Sequence, residues 1–234
     1  MVKFPGEVSV EAVIFDFDGV IVDTEPLHYA AFQRLLEPLG LGFSWEDYVA
    51  IYMGFDDRDA FVEAFKRSQN GLNPAQLQEL IDAKAAVFQE VIRDGISAYP
   101  GVVSLIRSIR EHHIPLAISS GALRSDITPI LETLGITDCF DIIVTAEDVV
   151  KSKPDPESYT LAYARLNEFR SLDLLPEQVL AIEDTPAGIS SAKGAGLRVI
   201  AVTNSYPATH LSGADYIVTT LDTAEIIFVD KAEG

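Results

Sequence analysis

Cysteine is almost missing from this chain: Cys139 is the only one in 234 residues. That excludes a disulfide framework and any cysteine-based metal site. Cys139 lies in the apolar-rich stretch 136–143 and reads as a half-buried core thiol. Basic residues are scarce too, with Lys and Arg totalling 17 against 36 Asp and Glu, for a formal net charge of −19. Such a surface repels nucleic acid and anionic membranes, so neither is an expected partner. It also means that an anionic substrate needs local cations to overcome the general field. No apolar run approaches the ~20 residues needed to span a bilayer, and residues 1–7 hold no apolar signal segment. A cytoplasmic location is expected. Internal repeats and low-complexity tracts are missing as well.

What the chain does have is apolar content, 48% of its residues, enough for one large domain or a core domain with a smaller companion. Short β-branched runs recur at Ala12–Phe15, Leu116–Ser119, Ile142–Thr145, Val179–Glu183, Val199–Thr203 and Tyr216–Thr219. Helical patterns separate most of them, such as Val102, Leu105, Ile106 and Ile109. This alternation predicts an α/β fold, a Rossmann-like parallel sheet with helices on both faces. Residues 23–95 break the rhythm with amphipathic patterns only, punctuated by Pro38, Gly40, Gly54, Gly71 and Pro74. We read them as a small helical domain inserted after the first strand, so that residues 1–22 and 96–234 make the core.

The chemistry collects at strand ends. Asp16-Phe17-Asp18-Gly19 closes the first run and delivers two carboxylates to one side, because residues two apart on a strand share a face. Gly19 allows a sharp turn and close backbone approach. Ser119-Ser120-Gly121 follows the second run, Lys153-Pro154 the third, and Glu183-Asp184 the fourth. In a parallel sheet these ends sit side by side, in the crevice where such folds keep their ligands. Lys153 alone would read as a surface lysine and Ser119 alone as a strand-end cap. Asp184 alone could be a helix N-cap ahead of Pro186. Together they suit phosphoryl transfer. A carboxylate with an ordinary pKa near ~3.9 is ionised at neutral pH and can attack phosphorus without a base. Asp16 is the candidate nucleophile and Asp18 the candidate acid and base, its pKa raised by its neighbour. Like-charged carboxylates ~4 Å apart repel by about 4 kcal/mol at an effective dielectric near 20. A divalent cation relieves this, and an all-oxygen donor set suits Mg²⁺. Lys153 and Ser119 would meet the phosphoryl oxygens, with Ser120 and Gly121 beside them.

These four motifs, in this order and over essentially the whole chain, resemble the haloacid dehalogenase superfamily of phosphotransferases. The helical insertion is similar to the cap of the branch holding β-phosphoglucomutase and small-metabolite phosphatases. The resemblance implies that Mg²⁺ binds Asp16, the Asp18 backbone carbonyl and Asp184, with Glu183 a ligand or a neighbour of the ligands. The presence of Asp18 argues against the halide- and phosphonate-cleaving branches. His28 and Lys84 fall where mutases couple cap closure to Asp18, though His28 also reads as an ordinary half-buried histidine. Lys84 reads as an exposed helix lysine unless the cap closes over the site. Two departures argue against a mutase. Ser120-Gly121-Ala122-Leu123 lacks the mutase serine and lysine, and in the loop 54–58 Asp57 stands where an arginine would grip a second phosphate, with Arg58 displaced by one residue.

The expectation is therefore a Mg²⁺-dependent phosphatase of a small phosphorylated metabolite, a sugar phosphate first, acting as a monomer or weak homodimer. A phosphosugar mutase is the alternative, and a non-enzymatic phosphoacceptor domain a remoter one. Asp18 argues against the latter, since a receiver needs no leaving-group acid.

Overall fold

A computed structural model of the chain describes residues 2–4, 8–53, 55, 57–93, 95–222 and 227–228. The chain divides into two compact units, Met1–Asp23 with Ser97–Gly234, and Thr24–Ile96. It opens with β1 (Val2–Phe4), β2 (Val8–Val10) and β3 (Ala12–Phe15), then runs through the second unit as α1 (Glu25–Leu36), α2 (Trp45–Asp47), α3 (Asp57–Arg67) and α4 (Pro74–Arg93). It re-enters the first unit through α5 (Val102–Glu111). Strand and helix then alternate as β4 (Leu116–Ser119), α6 (Arg124–Leu134), β5 (Ile142–Val144), α7 (Glu157–Arg170), β6 (Val179–Glu183), α8 (Pro186–Gly194) and β7 (Arg198–Val202). The last strands are β8 (Tyr216–Val218) and β9 (Ile227–Phe228).

Six strands form an all-parallel sheet in the order β5-β4-β3-β6-β7-β8. Ala12, Ile14, Ala117, Ala181, Val199 and Ala201 point to one face and pack with Tyr159, Ala162 and Leu166 of α7 and Ala192 of α8. The residues that alternate with them, among them Val13, Phe15, Ile118 and Ile182, are equally buried, so both faces are covered. That explains why these strands read as continuous apolar runs rather than as alternating ones. Three runs end one residue earlier than their β-branched sequence suggests. Thr145 leaves the sheet to cap the turn Ala146–Asp148, β7 spans Arg198–Val202 and β8 stops at Val218. β2, β1 and β9 make a separate antiparallel sheet that the sequence pattern does not mark.

The second unit holds helices and turns only among its described residues. Its core gathers Phe32, Leu36, Tyr48, Tyr52, Phe61 and Leu77, with Phe32 and Phe61 meeting edge to face at 5.2 Å. Asp57 and Arg58, expected in a loop, instead start α3, while Gly54 and Asp56 of that stretch lie outside the described residues. Lys84 is a correction of a different kind. Its side chain is only 2% exposed, because its ammonium sits 2.7 Å from Asp57 Oδ1, 2.8 Å from His28 Nδ1, and over the Phe88 and Phe32 rings. A buried charge persists when it is paired and hydrogen-bonded. Among the described residues no helix is long and apolar enough to cross a membrane.

Phe61 tests this packing. Phe61→Ala is expected to destabilise the helical unit by about 3–5 kcal/mol in urea unfolding, and a loss below about 1 kcal/mol would contradict the core described here.

Candidate active site

The sheet register brings the strand ends together. Phe15 pairs with Ile118 on one side and with Ile182 on the other, so Asp16, Ser119 and Glu183 emerge at one edge. The Asp16 amide continues the ladder by donating to the Ile182 carbonyl at 2.9 Å. A tight turn follows, in which the Gly19 amide donates to the Val22 carbonyl. Asn204, just beyond β7, donates its side-chain amide to the Gly19 carbonyl at 2.6 Å and ties this turn down.

Lys153 sits at the centre. Its ammonium donates to Asp16 Oδ1 at 2.8 Å, to the Ser119 carbonyl at 3.1 Å and to Glu183 Oε1 at 2.7 Å. Those three partners match its three protons. Glu183 is fully buried and both its oxygens are occupied. Oε1 also accepts from the Tyr159 hydroxyl at 2.8 Å, and Oε2 accepts from the Asp184 and Thr185 amides and the Thr185 hydroxyl at 3.1–3.3 Å. Asp184 contrasts with it. Both its oxygens are buried and, among the described residues, no hydrogen bond of good geometry reaches either, although the Ser205 hydroxyl lies beside it. The Ser119 hydroxyl is likewise buried without a partner among the described residues.

Two glycines make this crowding possible. A Cβ on Gly188 would stand about 2 Å from the Glu183 carboxylate, and one on Gly19 would stand 1.9 Å from Asp184 Oδ2. Gly19 also has φ +81°, a conformation that side chains resist.

Asp16, Glu183 and Asp184 each place a carboxylate oxygen within 4.8 Å of the others. Burial, then the Glu183 charge, push the Asp16 carboxyl up to about 7, against the pull of Lys153. Burial, then Asp16 and Glu183, push Asp184 up to about 8. Burial works against the Lys153 ammonium, yet the two carboxylates raise it above the ordinary lysine range. Two buried, partly unpartnered carboxylates beside a third are what a divalent cation stabilises. The donor set, all oxygen, fits one.

The sequence-predicted strand-end residues therefore meet, with differing partners. Ser120 is buried and accepts from the Ala122 amide at 2.9 Å; its hydroxyl also lies 3.4 Å from Asp18 Oδ2, and Gly121 is exposed. The N-cap of α8 is Thr185, whose hydroxyl accepts from the Gly188 amide, which leaves Asp184 out of that role. His28 stacks on Phe88 at 4.3 Å within the helical unit, and burial and Lys84 lower its pKa, so it accepts from Lys84 as a neutral ring. Arg58 is exposed there. Sequence reasoning missed Tyr159, Asn204 and Ser205. For the last two a signal existed, since they follow a strand end exactly as the known motifs do.

The strand ends of this α/β fold thus gather three carboxylates and a lysine. The family model for haloacid dehalogenase-like hydrolases matches residues 13–202, and the chain belongs to that family. It is 32% identical over 200 residues to a phosphorylated carbohydrates phosphatase of Thermotoga maritima, covering 84% of this chain and 87% of the relative. It is 30% identical over 213 residues to the β-phosphoglucomutase of Bacillus subtilis, covering 89% of each. Among solved structures it is similar to CbbY from Rhodobacter sphaeroides in complex with phosphate, with a TM-score of 0.81 and 26% identity over 92% of this chain and 96% of that one.

The raised carboxyls have a consequence for stability. Asp16 and Asp184 bind protons more tightly folded than unfolded, so in cation-free protein their contribution is full below about pH 4 and is lost as pH rises through about 7 and 8. Asp184→Asn is expected to flatten that fall in urea midpoints measured in chelator, and a variant as steep as wild type would contradict the assignment.

Proposed function

We propose that this enzyme is a phosphatase that hydrolyses a small phosphorylated metabolite, a sugar phosphate first, through an aspartyl-phosphate on Asp16. One observation supports this above the rest. Lys153 holds Asp16 through one oxygen beside a buried Ser119 hydroxyl and two buried Asp184 oxygens that lack good partners. A phosphoryl group can use the hydroxyl and the ammonium, and a cation can use the carboxylates.

Asp16 attacks phosphorus, forming a new P–O bond while the bond to the substrate oxygen breaks, and Asp18 gives that oxygen a proton. A water then attacks the phosphoryl group and yields its proton to Asp18. The Asp16–phosphorus bond breaks and inorganic phosphate leaves with Asp16 restored. Lys153 and the Ser119 hydroxyl offset the charge on the phosphoryl oxygens throughout. Mg²⁺ fits the donor set, with Asp16, the Asp18 carbonyl and Asp184 as its holders, and when bound it would neutralise carboxylate and phosphate charge. Glu183 serves next to these ligands, since donors already fill both its oxygens. The helical unit, residues 23–95 in this reading, acts as the cap that excludes water and selects the substrate.

Hydrolysis is favoured over a mutase because a mutase must hold two phosphates. Lys84 is already neutralised by Asp57, and the mutase serine and lysine after Ser119 are missing. The likeness to a β-phosphoglucomutase keeps that second reading in the test. Phosphate release from a panel of phosphomonoesters is expected to require Mg²⁺ and to stop in chelator. Asp16→Asn is expected to abolish it with the fold intact, and normal turnover in that variant would sink the mechanism. Glucose 6-phosphate formed from β-glucose 1-phosphate with little free phosphate would identify a mutase instead.

A further inference from the structure

Tyr159 is the largest fully buried side chain among the described residues, and it belongs to the apolar core under the sheet. A phenylalanine would fill the same space. The hydroxyl adds one thing, a hydrogen bond of 2.8 Å to Glu183 Oε1, the same oxygen that accepts from Lys153 at 2.7 Å. The Lys153 ammonium also lies 4.9 Å above the Tyr159 ring. Tyr159 thus touches both ends of the Glu183–Lys153 pair while remaining off the reacting atoms.

Glu183 is tied on one side. Its Oε2 accepts from three donors of Asp184 and Thr185, and its carboxylate lies so close to Gly188 that a Cβ there would stand about 2 Å away. The remaining adjustable element is Oε1, shared between a hydroxyl and an ammonium. Lys153 must divide its three protons among Glu183, Asp16 and the Ser119 carbonyl. If the hydroxyl is lost, Oε1 keeps a single donor, and its full charge draws the ammonium toward Glu183 and away from Asp16.

We propose that Tyr159 is a positioning residue: its hydroxyl satisfies Glu183 and so keeps Lys153 balanced on Asp16. This goes beyond the strand-end motifs, because it makes a core residue of α7 a determinant of the nucleophile's surroundings. It rests on Asp16 being the nucleophile.

Tyr159→Phe keeps the ring and removes only the hydroxyl, so the core stays filled. On the best ester of the panel, kcat is expected to fall at least about tenfold, the size of effect of a hydrogen bond to a charged group, while KM stays within about twofold. Glu183→Gln supplies the control for the route of action. With no carboxylate charge left to satisfy, adding Tyr159→Phe to it is expected to cost less than about twofold more in kcat/KM. Circular dichroism and the thermal midpoint follow the fold in each variant. Unchanged kcat in a Tyr159→Phe protein whose thermal midpoint has dropped would overturn the proposal, leaving the hydroxyl a structural role only. Multiplicative losses in the double variant would overturn it too, since the hydroxyl would then act by some route other than Glu183. A wild-type protein without phosphatase turnover would instead overturn the functional reading itself, which keeps the two failures apart.

Discussion

Everything in the site depends on one ammonium among crowded carboxylates. Asp16, Glu183 and Asp184 converge within 4.8 Å, and a pair of such charges ~4 Å apart repels by about 4 kcal/mol at an effective dielectric near 20. Lys153 offsets part of this by bonding to Asp16 and Glu183 at once. It does not reach balance alone: one ammonium faces three carboxylates, and burial, then neighbouring carboxylate charge, holds Asp16 and Asp184 far above their ordinary range. That crowding is a property of the folded chain, and it is what a bound cation would relieve.

The sheet supplies this convergence without long loops. Adjacent parallel strands in register carry Asp16, Ser119 and Glu183 to the same edge, and glycines remove the side chains that would block close approach. Every oxygen of Glu183 has donors, whereas the Ser119 hydroxyl and the Asp184 oxygens have no hydrogen-bond partner of good geometry among the described residues. A protein with 36 acidic and 17 basic residues repels phosphate at long range, so selectivity for an anion must come from these few fixed groups at short range.

Much of this was legible in the sequence, for physical reasons. Strands buried on both faces appear as apolar runs, and the residues that end or follow a run fall at the active edge, so Asp16, Ser119 and Glu183-Asp184 announce themselves by position. The short strands of the antiparallel sheet do not, since no long apolar run marks them. Lys84 looked like a surface residue on an amphipathic helix, and only the meeting of α1, α3 and α4 reveals that Asp57 and His28 wait for it. Tyr159 was invisible for the opposite reason. It fits the core pattern of α7 so well that nothing in the spacing marks its hydroxyl, whose partner lies 24 residues away on another element.

The central claim is that the carboxylate held by Lys153 carries the phosphoryl group. The direct measurement is to mix enzyme with substrate, quench in acid within milliseconds, and map the phosphorylated peptide by mass spectrometry. An acid-stable, base-labile acyl phosphate located on Asp16 is the expected result. Turnover with no phosphoenzyme on Asp16, or with the phosphoryl group on another residue, would contradict the account.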